Sequence, residues 1–121
     1  MTQLLWVGFG GFLGAVARYL ISGWAQRLVP GPFPLGTLVV NVAGCFALGV
    51  LMAWLDRELI SPALRQLLVV GFLGALTTFS TFGYETLDLM RQGEMGLAVL
   101  SVAGNVLLGL LAVWLGLNAV L

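Results

Sequence analysis

Residues 71–86 read GFLGALTTFSTFGYET, with four hydroxyls (Thr77, Thr78, Ser80, Thr81) and two phenyl rings (Phe79, Phe82) inside an otherwise apolar run. In hydrocarbon an unpartnered polar group is costly, so hydroxyls gathered here must face one another, a neighbouring helix or a wet path. Phe79 and Phe82 are three apart and share one face of any helix that covers them. An aromatic ring is negative over its face and positive at its edge. Two rings presented edge-on can therefore hold an anion that has shed its water, besides serving as ordinary core aromatics. Gly71 and Gly74, followed by the β-branched Thr77 and Thr78, make poor local helix. Non-helical backbone deep in a bilayer exposes carbonyls, which can hold a cation the size of Na⁺ without any carboxylate.

Other polar side chains recur at helical spacing. Thr37 and Asn41 are four apart, and so are Ser101 and Asn105. Each stripe is either interhelical glue or the lining of a water-filled path, where amides and hydroxyls donate to an anion. Arg18 adds a fixed positive charge within an apolar stretch, or reaches the interface by snorkelling. Among the acids, Asp56, Glu58 and Glu94 fall in links, and Asp88 is three residues from Arg91, the spacing of a solvated pair near a helix end. Glu85 follows Phe82 by three residues on the same face. It can gate or relay within the membrane, or simply reach water. There is no histidine, and no Ser-His or Cys-His pair, phosphate loop or metal cluster, so catalysis is not expected. The single cysteine, Cys45, excludes an intrachain disulfide and reads as a small packed thiol.

The elements that must position these residues follow from the composition. Of 121 residues 60% are apolar and 8% charged, against about 25% charged in a soluble domain. The chain is therefore expected to be an all-α integral membrane protein held in lipid. Its net charge of zero offers no basic surface to nucleic acid. At about 20 apolar residues per crossing, four spans are expected, over residues 4–24, 35–55, 62–91 and 95–121, forming one membrane domain. The start, MTQLLWVGFGGFLG, lacks the basic region of a signal peptide and is expected to stay as the first span. The third segment is too long for one straight perpendicular crossing, and its centre lies near Leu76, so a break near the bilayer midplane is expected. Small residues four apart (Gly10/Gly14, Ala43/Ala47, Gly71/Ala75, Ala112/Gly116) predict close helix contacts. Arg57 and Arg65 fall on one side of the membrane, Arg27 and Arg91 on the other, which leaves no positive-inside preference. Four short helices also enclose too little volume for a pathway of their own. Together these observations predict an antiparallel, dual-topology homodimer in which the interrupted third spans meet on the two-fold axis.

The segments GGFLGAVARYL (10–20), GTLVVNVAGCFALGVL (36–51) and above all GFLGALTTFSTFGYET (71–86) resemble the CrcB/Fluc family of fluoride channels, and the resemblance runs the length of the chain. It implies a multi-pass protein of the bacterial plasma (inner) membrane that lets cytoplasmic fluoride leave passively and so lowers its toxicity. It further implies a dual-topology homodimer with two anion pores and a central structural Na⁺ held by backbone carbonyls of Gly74 and Thr77. By the same resemblance Phe79, Phe82 and Asn41 line a pore and Arg18 stands in a vestibule, with Ser80, Thr81 and Thr37 as polar-track or vestibule hydroxyls. In the fourth span the family often has a tyrosine followed by serines, where this chain has Ser101, Asn105 and Gly109. Asn105 can still donate there. A small dual-topology multidrug or cation exporter is the alternative, but it needs a deep carboxylate where the first span offers Arg18. A structural membrane subunit is a third reading, in which the polar stripes are glue.

Overall fold

The computed structural model describes residues 1–120. Helix α1 (Thr2–Leu28) turns through a proline-rich corner at 29–34 into α2 (Leu35–Asp56). A short link leads to α3 (residues 62–76), and two extended residues separate it from α4 (Phe79–Arg91). A tight turn then leads to α5 (Met95–Asn118). Four segments, with α3 and α4 counted as one, are long and apolar enough to cross a membrane, and no strand occurs among the described residues. The helices of the first two spans overrun the expected limits of 4–24 and 35–55, because helix continues until the chain meets a stop such as Pro30, whatever the hydrocarbon thickness. The fourth ends at Asn118, and Leu121, its expected limit, lies outside the described residues.

Local chemistry sets these boundaries. Ser61 Oγ accepts from the Leu64 N–H at 3.2 Å, and Pro62 occupies the first turn, where its missing N–H is no loss. Helix α2 closes with Glu58 at φ 57°, the Leu59 N–H reaching back to the Trp54 carbonyl at 2.9 Å. Helix α4 closes the same way around Gly93 at φ 81°, with the Glu94 N–H on the Leu89 carbonyl at 2.8 Å. Asp88 accepts from Gln92 Nε2 at 2.7 Å. Two stretches, Arg65–Leu73 in α3 and Gly104–Leu108 in α5, wind in wider π-helical turns.

Glycine decides how closely the helices cross. Helix α1 lies on α3 through Gly10, Gly14 and Gly71: a Cβ on Gly71 would stand 2.6 Å from the Val7 carbonyl oxygen and 3.0 Å from Gly10 Cα. Helix α2 lies on α5 through Gly49 and Gly116, where a Cβ on either would come within 3.0 Å of the other's Cα. Backbone cannot yield as a side chain can, so these positions admit only glycine. Ala43 is exposed, and Gly49 supplies the close contact on α2 that the Ala43/Ala47 spacing suggested. Between these crossings Val40, Leu51, Leu73 and Leu76 form the core. Outward, large apolar side chains such as Leu5, Phe12, Leu20, Leu107 and Leu110 are exposed around the bundle, the surface a lipid solvent accepts.

Candidate functional site

The backbone between α3 and α4 is extended at Thr77 (φ −82°, ψ 152°) and Thr78 (φ −147°, ψ 114°). Such an interruption leaves the last carbonyls of one helix and the first N–H groups of the next without helical partners. Thr77 turns back, its N–H and Oγ1 both donating to the Leu73 carbonyl at 3.1 and 3.0 Å. Thr78 Oγ1 accepts from the Thr81 N–H at 3.1 Å and so caps α4. The Thr78 peptide groups are taken by another helix: Asn41 Oδ1 accepts from the Thr78 N–H at 2.7 Å, while Asn41 Nδ2 donates to the Thr78 carbonyl at 3.1 Å. One amide replaces two missing helical bonds. Gly44, three residues along α2, leaves room for the Thr77 methyl, which a Cβ would strike. No hydrogen bond among the described residues reaches the carbonyl oxygens of Gly74 or Thr77, and Gly74 is exposed.

Asn41 Nδ2 also donates to Asn105 Oδ1 at 2.8 Å, so both its amide hydrogens are used. Asn105 Nδ2 in turn donates to the Ser101 carbonyl at 2.9 Å, which leaves it one hydrogen without an acceptor among the described residues. Ser101 Oγ lies 3.3 Å from Thr86 Oγ1, which donates to the Phe82 carbonyl at 2.7 Å. Thr86 and Ser101 are buried, and this hydroxyl pair ties α4 to α5. A lone threonine four residues after Phe82 is the only trace Thr86 leaves in the sequence, and its role depends on a partner from another span.

Two recesses flank the interruption and share Thr78. The first, about 400 Å³, is lined by Asn41, Gly74, Thr77, Phe79, Phe82 and Asn105 among others. The two rings stand 5.5 Å apart at 57°, a tilted pair, and Phe79 is 82% exposed, far more than a core ring would be. The second, about 420 Å³, is lined by Arg18, Ser22, Thr37 and Thr81 together with Ala15, Tyr19 and Val40, with Arg18 as its only charged group. Thr37 is buried and donates to Glu85 Oε1 at 2.5 Å, which brings the carboxylate to the wall of this recess without lining it. Ser80 is exposed and lines neither recess; its Oγ lies 3.4 Å from Thr78 Oγ1. Thr37 and Asn41 thus share a helix face yet open into different recesses. Metal-binding clusters of three or more His, Cys, Asp or Glu are absent among the described residues, so a cation here would rely on backbone oxygen.

The family model described as "CrcB-like protein, Camphor Resistance (CrcB)" matches residues 5–117. A relative from Acidobacterium capsulatum, named "Fluoride-specific ion channel FluC", is 49% identical over 116 residues, 95% of this chain and 93% of its own. Relatives of the same name from Nitratidesulfovibrio vulgaris and Geotalea daltonii are 46% and 45% identical, covering 98% of this chain and 96% and 97% of theirs. With the match spanning all four apolar segments and both recesses, this chain belongs to the CrcB-like family of multi-pass membrane proteins.

Proposed function

We propose that the protein is a fluoride-selective channel that allows passive export of cytoplasmic fluoride. The observation that carries this reading is the recess in which two tilted phenyl rings, an asparagine with a free amide hydrogen and an extended stretch of backbone meet. Relatives named as fluoride-specific channels at 45–49% identity support it. A small anion crossing the membrane must exchange its water for other donors. Here the Asn105 amide and the positive ring edges of Phe79 and Phe82 supply them in the first recess and the Thr81 hydroxyl in the second, while Ser80 adds an exposed hydroxyl outside both. Arg18, alone among charges in the second recess, raises the local concentration of anions at its mouth. Asn41 holds the backbone against which the path runs, and Glu85, bound to Thr37, serves as a gate or relay beside it.

The working unit in this reading is an antiparallel, dual-topology homodimer with a third span broken near the bilayer midplane. The tied arginine count and the exposure of Phe79 and Gly74 support it. The carbonyls of Gly74 and Thr77, free of protein donors at the negative end of α3, fit a hard cation such as Na⁺. Bound there, such an ion would be held by the lone pairs of the Gly74 and Thr77 carbonyls and would supply a fixed positive charge at the interruption. Phe79→Ile and Phe82→Ile are each expected to slow fluoride efflux from reconstituted liposomes roughly fivefold, about 1 kcal/mol per ring contact. Native efflux, followed with a fluoride electrode, is expected to proceed without proton coupling. Unchanged efflux in both variants would refute the ring-edge role, and proton-coupled export of a cationic dye would favour a multidrug exporter.

A further inference from the structure

Helix α2 begins without a cap of its own. Pro34 holds the N-cap position and has no side-chain oxygen, while the first N–H groups of a helix lack partners inside it. Gln26, near the end of α1, supplies one from outside. Its Oε1 accepts from the Gly36 N–H at 3.1 Å and its Nε2 donates to the Phe33 carbonyl at 2.8 Å. A single amide therefore ties the end of α1, the 29–34 corner and the first turn of α2. There is little slack around it: Ala25 and Pro34 are buried, and a Cβ on Gly36 would stand 3.0 Å from Ser22 Cα. Ser22 and Thr37 flank that contact, and both line the recess that holds Arg18.

The geometry points to Gln26 as a positioning residue for the Thr37–Glu85 pair: by capping α2 from α1, it fixes where the Thr37 hydroxyl stands in the Arg18 recess. Gln26 does not line that recess and acts only through its neighbour. Thr37 follows Gly36 in the same first turn, so a shift of the helix start carries the Thr37 hydroxyl with it relative to Glu85 on α4. The consequence for ion flux rests on the fluoride reading above. The consequence for the helix start does not.

Fluoride efflux from liposomes and amide hydrogen exchange over residues 35–37 are measured for the native protein, Gln26→Met, Thr37→Val and the double variant. Gln26→Met keeps the side-chain length and removes both polar atoms. It is expected to slow efflux roughly fivefold, the worth of one helix cap, to speed exchange at Gly36 and Thr37, and to add no further loss in the Thr37→Val background. Gln26→Glu keeps an acceptor at a helix N-terminus and is expected to restore efflux to within about twofold of native. Native exchange and efflux in Gln26→Met would overturn the inference, as would losses that multiply in the double variant. An inactive native protein would overturn the fluoride reading instead, and the exchange rates would still decide whether Gln26 holds the start of α2.

Discussion

At the scale of single residues, Asn41 and Asn105 look interchangeable in sequence, each an asparagine four residues after a hydroxyl, yet their hydrogen bonds divide the work. Asn41 is fully engaged, holding the Thr78 N–H and carbonyl and donating to Asn105. Asn41→Leu strands both Thr78 groups, and leaving a buried backbone group unpaired costs about 1–3 kcal/mol. A large fall in thermal unfolding temperature in detergent is the expected outcome. Asn105→Ala removes two side-chain hydrogen bonds, to Asn41 and to the Ser101 carbonyl, and a donor lining the recess, but strands no backbone group because the Gly104 N–H still reaches Ser101, so it costs only about 1 kcal/mol of stability while slowing fluoride efflux. The two variants should separate stability from flux; equal effects on both would contradict this division. The spacing of Phe79 and Phe82 already puts their rings on one face, because side chains three apart on a helix are neighbours. No such local rule pairs Asn41 with Thr78.

The elements are set by their ends more than by their middles. Glu58 and Gly93 occupy equivalent left-handed positions after α2 and α4, but only the glycine adopts that conformation without Cβ strain. Glu58→Gly is therefore expected to stabilise the protein by about 0.5–1 kcal/mol, and Gly93→Ala to destabilise it by about 1 kcal/mol. Thermal unfolding of the purified protein, measured side by side, checks both signs. Gly93 was legible as a stop from its type. That Glu58 does the same duty was not, since glutamate carries no turn signal and only the Leu59 N–H on the Trp54 carbonyl shows the helix closing around it.

For the whole molecule, the two glycine crossings fix how the helices meet. Gly116→Val drives a side chain into the Phe46 carbonyl and the Gly49 backbone, which cannot rotate away. Loss of the folded protein from the membrane fraction is expected, whereas Gly8→Val, at a glycine with open space around it, should be tolerated. The proposed dual topology gives a separate test. On a Cys45→Ala background, Glu58→Cys in the exposed link should be labelled by an impermeant thiol reagent from each side of the membrane in roughly equal halves, the outcome expected when the arginine count sets no preference. Labelling from one side only would refute it.

Chain order alone set the solvent, the helical class and the number of membrane segments, because apolar length and periodicity are properties of consecutive residues. It also put Phe79 beside Phe82, and Asn105 one turn beyond Ser101. Tertiary structure alone decided that Asn41 would hold the Thr78 peptide groups, that Thr37 would open away from Asn41 to meet Glu85, and that Gln26 would cap a helix other than its own. Each of these joins residues on different helices. Which side chains meet across a crossing depends on where two glycine faces allow the backbones to touch, and no local spacing records that contact.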